Sequence, residues 1–153
     1  MTRYLGIDYG TKRVGLAISD ETGQIAFPLC VLDNSGQRRV AGEINRIAGE
    51  RQVGALVLGL PLNLDGSKGL AAENVEHFAD ILKQYVTIPL AFWDERLSTR
   101  IAERAMIEGG LSRMRRKQSI DQATAQIILQ SYLDASAVQE GRDAGGEDNQ
   151  DQA

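Results

Sequence analysis

Apolar and polar positions along the chain change period several times, and each change marks an element. Residues 3–8 hold a short buried run (Tyr4, Leu5, Ile7), the signature of a strand covered on both faces. Residues 13–20 (RVGLAISD) alternate as a half-buried strand does, and 25–32 (IAFPLCVL) form a third run. Gly10-Thr11 and Thr22-Gly23 separate the three, which predicts an antiparallel meander. From Gln37 to Arg51 the period becomes helical, with Val40, Ile44, Ile47 and Ala48 on one stripe. VGALVLGL (53–60) reads as a central parallel strand. Ser67 is positioned to cap a helix over about 68–85, whose inward stripe would be Leu70, Ala71, Asn74, Val75, Phe78, Ile81, Leu82 and Tyr85.

Residues 88–93 (IPLAFW) predict a fifth strand. Pro89 has no N–H for a ladder, so this strand belongs at an edge. A helix is expected to start at Ser98 or Thr99 and to stop at Gly109-Gly110. Ser119 and Gln122 form a capping box for a last helix reaching about Ala135, with Ile120, Ala123, Ile127, Ile128 and Tyr132 inward. Three meandering strands followed by alternating helices and strands describe an α/β fold: a mixed five-stranded sheet, order 3-2-1-4-5, flanked by helices.

Charge divides the chain. Residues 137–153 carry Glu140, Asp143, Glu147, Asp148 and Asp151 against Arg142 alone, which accounts for the whole net charge of −4. With almost nothing apolar, this segment is expected to be a disordered acidic tail behind one domain over 1–136. Inside that neutral domain, 96–117 gathers Arg96, Arg100, Arg104, Arg113, Arg115, Arg116 and Lys117 against Glu103 and Glu108. A neutral body with one basic segment suits a polyanion approached from one side, although a solvated charged helix has the same pattern.

No apolar run reaches membrane-spanning length, and a reducing cytoplasm is the expected compartment. Cys30 is the only cysteine, which excludes an internal disulfide or a cysteine-based zinc site, and core packing is its expected role. His77 is the only histidine, so a His-His-carboxylate site is excluded. Its neighbours Glu73, Glu76 and Asp80 predict a solvated side chain rather than a catalytic triad member.

The chemistry therefore falls to carboxylates. Asp8 ends the first strand and is followed by Gly10, Thr11 and Lys12, a glycine turn able to hold phosphate through N–H, hydroxyl and ammonium groups. Asp94 and Glu95 close the fifth strand, and period two sends them to opposite faces, so at most one reaches a shared site; spacing does not choose between them. Asp121 belongs to the first turn of the last helix, where the helix dipole alone could explain an acid. Three such acids brought together repel, each pair by on the order of 4 kcal/mol at about 4 Å with an effective dielectric near 20. Divalent cations remove that penalty, and an all-oxygen donor set points to Mg²⁺ or Mn²⁺. The loop GLPLNLDGS (59–67) offers Asn63 and Asp65 as hydrogen-bonding groups, though Asp65-Gly66 is also an ordinary turn signal. Arg113, Arg115, Arg116 and Lys117 follow a glycine pair and suit an arm on a nucleic-acid backbone.

Taken together, GIDYGTKRVGLAIS (6–19), GLPLNLDGS (59–67), DERLST (94–99) and DQATAQIILQSYL (121–133) resemble the YqgF family. These are small bacterial proteins of RNase H-like fold, described as pre-16S rRNA nucleases and as Holliday junction resolvases. The resemblance implies an RNase H-like nuclease domain and Asp8, Glu95 and Asp121 as metal ligands and catalytic residues for one or two Mg²⁺ or Mn²⁺ ions. It also implies a metal-dependent endonuclease on structured nucleic acid, with rRNA maturation in the cytoplasm as its setting. Gly10, Thr11, Lys12, Asn63, Arg96, Ser98, Thr99, Arg113, Arg115, Arg116 and Lys117 are the expected substrate contacts. Related nucleases carry an acid on strand four, where this chain has Gly59-Leu60-Pro61. A resolvase, which needs a homodimer for paired cuts, and a catalytically silent RNA- or transcription-complex-binding module are the alternatives. The monomer is the other assembly left open. Asp8-Tyr9-Gly10-Thr11 is also similar to the phosphate loop of actin-like ATPases, but those close two such domains on a nucleotide, and 153 residues supply one.

Overall fold

The structure is a computed structural model that describes residues 1–96 and 123–137. Its sheet has five strands in the order β3-β2-β1-β4-β5. These are β1 (Tyr4–Tyr9), β2 (Arg13–Ser19), β3 (Ala26–Asp33), β4 (Ala55–Leu60) and β5 (Leu90–Asp94). The first three form the antiparallel meander, and β4 and β5 add parallel to β1. Both outer strands contain or follow a proline. Pro28 sits in β3 beside a register shift at Leu16/Ala17, and Pro89 precedes β5, its carbonyl accepting from Leu56 N–H at 2.8 Å.

Period two sorts the strand residues onto two faces. Leu5, Ile7, Val14, Leu16, Leu56 and Leu58 pack against α1 (Gln37–Glu50) and α2 (Leu70–Leu82), with Phe78 fully buried between them. Tyr9 stacks on Phe78 with ring centroids 4.1 Å apart, so the end of β1 is anchored on this side. Ala17, Ala26 and Val57 face the other way, under a helix over 123–137, here α3. That helix lies close to the sheet because β1 has a glycine beneath it. A Cβ at Gly6 would stand 2.8 Å from Leu129 Cβ and 3.2 Å from the Ala125 carbonyl oxygen. Three side-chain bonds to the start of β3 fix its position. Gln130 Oε1 accepts from Ala26 N–H (2.8 Å), while Gln130 and Gln126 side-chain amides donate to the Gln24 (2.9 Å) and Ala26 (3.1 Å) carbonyls.

Three expectations change. Ser67 is not the cap of α2: Gly69 holds that position, and the Ser67 hydroxyl donates to Asp65 at 2.6 Å inside the preceding loop. The stripe of α2 begins later, at Ala72, leaving Leu70, Ala71 and Asn74 exposed, because the loop consumes residues assigned to the first turn. In α3 the buried set is Thr124, Ala125, Ile128, Leu129 and Leu133, while Ala123, Ile127 and Tyr132 flank it, half-buried. The expected helix from Ser98 or Thr99, the capping box at Ser119 and the acidic tail lie outside the described residues. No helix among the described residues is long and apolar enough to cross a membrane.

Candidate active site

On the α3 face each of the three parallel strands presents one residue near its C-terminal end. Alternation from Tyr4 through Gly6 brings Asp8 to this face on β1, alternation from Val57 brings Gly59 on β4, and alternation from Trp93 brings Glu95 just past β5. Glu95 follows the last strand residue, its N–H reaching the Leu60 carbonyl at 3.3 Å. Its side chain folds over β4, where Oε2 is buried and accepts no hydrogen bond from a described residue.

Burial, and then the charges of Asp8 and Asp94, push the Glu95 carboxyl up to about 8. Withdrawal from water disfavours the anion, and a second carboxylate on the neighbouring wall adds to that. Asp94 does the opposite. Its carboxylate accepts from Arg96 Nε at 2.8 Å, pairs with Nη2 at 2.7 Å and accepts from the Arg96 N–H at 3.1 Å, which holds it below the usual carboxylate range. Of the two adjacent acids left open by spacing, Glu95 turns toward Asp8, and Asp94 is committed to an ion pair.

Gly10 donates to the Arg13 carbonyl at 2.9 Å and closes a turn that leaves Thr11 and Lys12 exposed at the same rim. Asn34, which sequence reasoning passed over, fastens this turn: its side-chain amide donates to the Gly10 carbonyl (2.8 Å) and its backbone N–H to the Lys12 carbonyl (2.9 Å). Asn63 is engaged within the 61–69 loop, donating to Ser67 Oγ at 3.0 Å and from its backbone to the Ser67 carbonyl at 2.9 Å. Arg96 braces the same loop through the Leu64 carbonyl at 3.3 Å, so its guanidinium serves the rim's architecture. Cys30 is half-buried against the first core, and His77 is exposed. Asp121, Ser98, Thr99, Arg113, Arg115, Arg116 and Lys117 lie outside the described residues. Among the described residues no three potential ligands cluster, and the candidate site there is the Asp8–Glu95 pair.

A family model described as "RuvX: Holliday junction resolvase" matches residues 2–135. The chain belongs to the RuvX family. Relatives carry the provisional name pre-16S rRNA nuclease. One from Syntrophomonas wolfei is 43% identical over 136 residues, covering 89% of this chain and 96% of the relative. One from Myxococcus xanthus is 44% identical over 133 residues, covering 87% and 88%. Among solved structures, T. thermophilus RuvC in complex with Holliday junction substrate aligns with a TM-score of 0.57 at 16% identity, over 90% of this chain and 96% of that one. The Fowlpox virus resolvase bound to Holliday junction DNA aligns with a TM-score of 0.55 at 12% identity, over 87% and 97%. At such identities the likeness is one of fold, and it agrees with the RNase H-like architecture expected of this RuvX-family chain.

Proposed function

We propose that this RuvX-family protein is a Mg²⁺- or Mn²⁺-dependent endonuclease that hydrolyses phosphodiester bonds in structured nucleic acid, with the 5′ region of pre-16S rRNA as its substrate. One observation carries the reading. The Glu95 carboxylate is drawn over β4 beside Asp8, with Oε2 buried and without a hydrogen-bond donor among the described residues. A buried acid without a partner is costly, and an oxygen-only pair at a strand rim fits a hard divalent cation.

Asp8 and Glu95 would hold the cation, which when bound supplies a Lewis acid for the reacting phosphate and water. Asp8 approaches from β1 and Glu95 from beyond β5, so the two carboxylates fix the cation's place against the rim. The turn at Gly10, Thr11 and Lys12, fastened by Asn34, aligns the phosphate backbone, with the Lys12 ammonium offsetting its charge. Hydrolysis adds water across one P–O bond, leaving a phosphate monoester and a free hydroxyl.

Asp121 is proposed as the third ligand, and the heading of α3 supports it. Tyr132 meets Tyr4 edge to face with ring centroids 5.7 Å apart, and Leu129 and Ala125 meet Gly6, so α3 runs antiparallel to β1 with its N-terminal end toward the Asp8 end. Ser98, Thr99, Arg113, Arg115, Arg116 and Lys117 are proposed backbone contacts, and the cytoplasm is the proposed compartment.

The family description favours a second reading, cleavage of four-way DNA junctions, whose paired cuts would need a homodimer. Incubating the protein with a pre-16S fragment or a four-way junction, in Mg²⁺, Mn²⁺ or chelator, separates the two. Cation-dependent cutting of the RNA alone supports the nuclease reading, and paired cuts in the junction alone support the resolvase. A protein that binds either substrate with salt sensitivity but cuts neither is a binding module, and the nuclease reading is then wrong.

A further inference from the structure

Gly59 is the last β4 residue on the α3 face, and it stands between the two carboxylates. Ile7 pairs with Leu58 and Gly59 with Trp93, so β4 separates the strand that bears Asp8 from the strand that leads to Glu95. Two strand spacings put those outer backbones about 10 Å apart, a gap that side chains must bridge over the middle strand. A Cβ at position 59 would lie 2.4 Å from Glu95 Oε2, 2.7 Å from Ile128 Cδ1 and 3.5 Å from Glu95 Cδ. The carboxylate therefore occupies the volume that any side chain on residue 59 would fill.

Backbone conformation does not demand glycine here. Among the described residues the positive-φ glycines are Gly23, Gly36 and Gly66, and Gly59 is ordinary strand. Space is the requirement. Ile128 of α3 caps the same volume, so the acid lies in a slot with β4 as its floor and an aliphatic side chain beside it. No described donor holds Oε2, and the fit of the slot replaces the hydrogen bond that would otherwise orient it.

We infer that Gly59 is a positioning residue, whose missing side chain opens the slot through which Glu95 reaches across β4 toward Asp8. The inference rests on the reading of Asp8 and Glu95 as cation ligands. It assigns the reach to the length of glutamate: an aspartate at 95, one methylene shorter, falls short of the same place. It also separates two roles that Gly59 could have. A glycine needed only for helix packing would matter through Ile128, whereas one needed to admit the acid matters through Glu95.

The test is a double-mutant cycle read by Mn²⁺ titration calorimetry, with thermal unfolding followed in parallel. It is run in an Ile128→Val background, which removes the Cδ1 that a new Cβ would meet. There, Gly59→Ala is expected to weaken Mn²⁺ binding by about 10–100-fold, the usual effect of disturbing a ligand's support. In the same background carrying Glu95→Gln, Gly59→Ala is expected to cause no further loss, because the group it displaces is already gone. Glu95→Asp, which leaves both strands and helix as they are, is expected to weaken Mn²⁺ binding comparably, and it carries the test should the alanine variant not fold. Equal Mn²⁺ affinity with and without Gly59→Ala, or an equal loss in both backgrounds, overturns the positioning role while leaving the ligand reading intact. Wild-type Mn²⁺ affinity in both Asp8→Asn and Glu95→Gln overturns the ligand reading itself, and the inference falls with it.

Discussion

At the β2–β3 turn, Asp20 Oδ1 accepts from the Gln24 and Ile25 N–H groups at 2.9 and 3.0 Å, and its Oδ2 accepts from the Thr22 hydroxyl. At the opposite end of the sheet, Glu95 Oε2 is buried with no described donor. The Thr22 hydroxyl and the two N–H groups hold the Asp20 carboxyl far below the usual carboxylate range, while burial and Asp8 push Glu95 up to about 8. The same functional group is thus completed by the fold at one end and left incomplete at the other. A carboxylate whose lone pairs are all addressed by the chain shapes a turn. One that is withdrawn from water beside a second acid lacks a partner among the described residues, and that is the place the proposed divalent cation would take. Asp94 shows how local this decision is, since one residue before Glu95 an acid is completed by Arg96.

The largest expected effect follows from breaking the incomplete end. Asp8→Asn should reduce cleavage by more than the roughly 10–100-fold that loss of a ligand's supporting group costs, with a melting temperature no lower than that of the wild type. Turnover on the RNA fragment and the junction, set beside calorimetric unfolding, checks both halves. Second is the pH dependence of cation binding. Because Glu95 must release a proton to become a ligand, Mg²⁺ affinity should rise by about tenfold per pH unit between pH 6 and 8 and level off above about 8. Glu95→Gln should flatten that slope and Asp20→Asn should not, as titration calorimetry at several pH values will show.

Third is the stability of the cation-free protein. The folded-state value for Glu95 lies above its ordinary value of 4.5, so the native state keeps a proton that the unfolded chain gives up. Stability should fall as pH rises from 4.5 to about 8 and then hold steady. At pH 8 Glu95→Gln should exceed the wild type by on the order of 1–3 kcal/mol, allowing for partial solvent access. Denaturant melts at pH 5 and pH 8 test the sign. Smallest is the effect at the completed end. Asp20→Ala should lower the melting temperature modestly at neutral pH and leave cleavage untouched. Its deficit should shrink as pH falls below 3.8, where the unfolded chain takes up the proton that the native turn resists.

The sheet order was readable because each strand carries its own evidence: a buried run for β1 and β4, a meander set by glycine turns, and Pro89 marking an edge. Strand ends with period two also pointed to Asp8, and they narrowed the other rim to Asp94 or Glu95. Between those two the resemblance named Glu95, whereas spacing could not foresee the ion pair of Arg96 with Asp94, which depends on how a guanidinium two residues away folds back. Ser67 was misread for a similar reason, since a hydroxyl that could cap α2 is bonded instead to Asp65. Asn34 left no signal of its own, and Gly59 showed only as the place where related nucleases carry an acid. The first acts through backbone carbonyls of another loop, and the second acts by the side chain it does not have. Asp121 and the basic positions of 96–117 beyond Arg96 fall outside the described residues.

Anomalous diffraction from crystals grown with Mn²⁺ bears most directly on the pairing of Asp8 with Glu95. The account predicts one strong peak at the β1–β4–β5 rim, about 2.1 Å from a carboxylate oxygen of each residue, with Glu95 Oε2 among the ligands or turned toward them. A Mn²⁺ peak elsewhere on the molecule, with Glu95 still buried and unliganded, would contradict it.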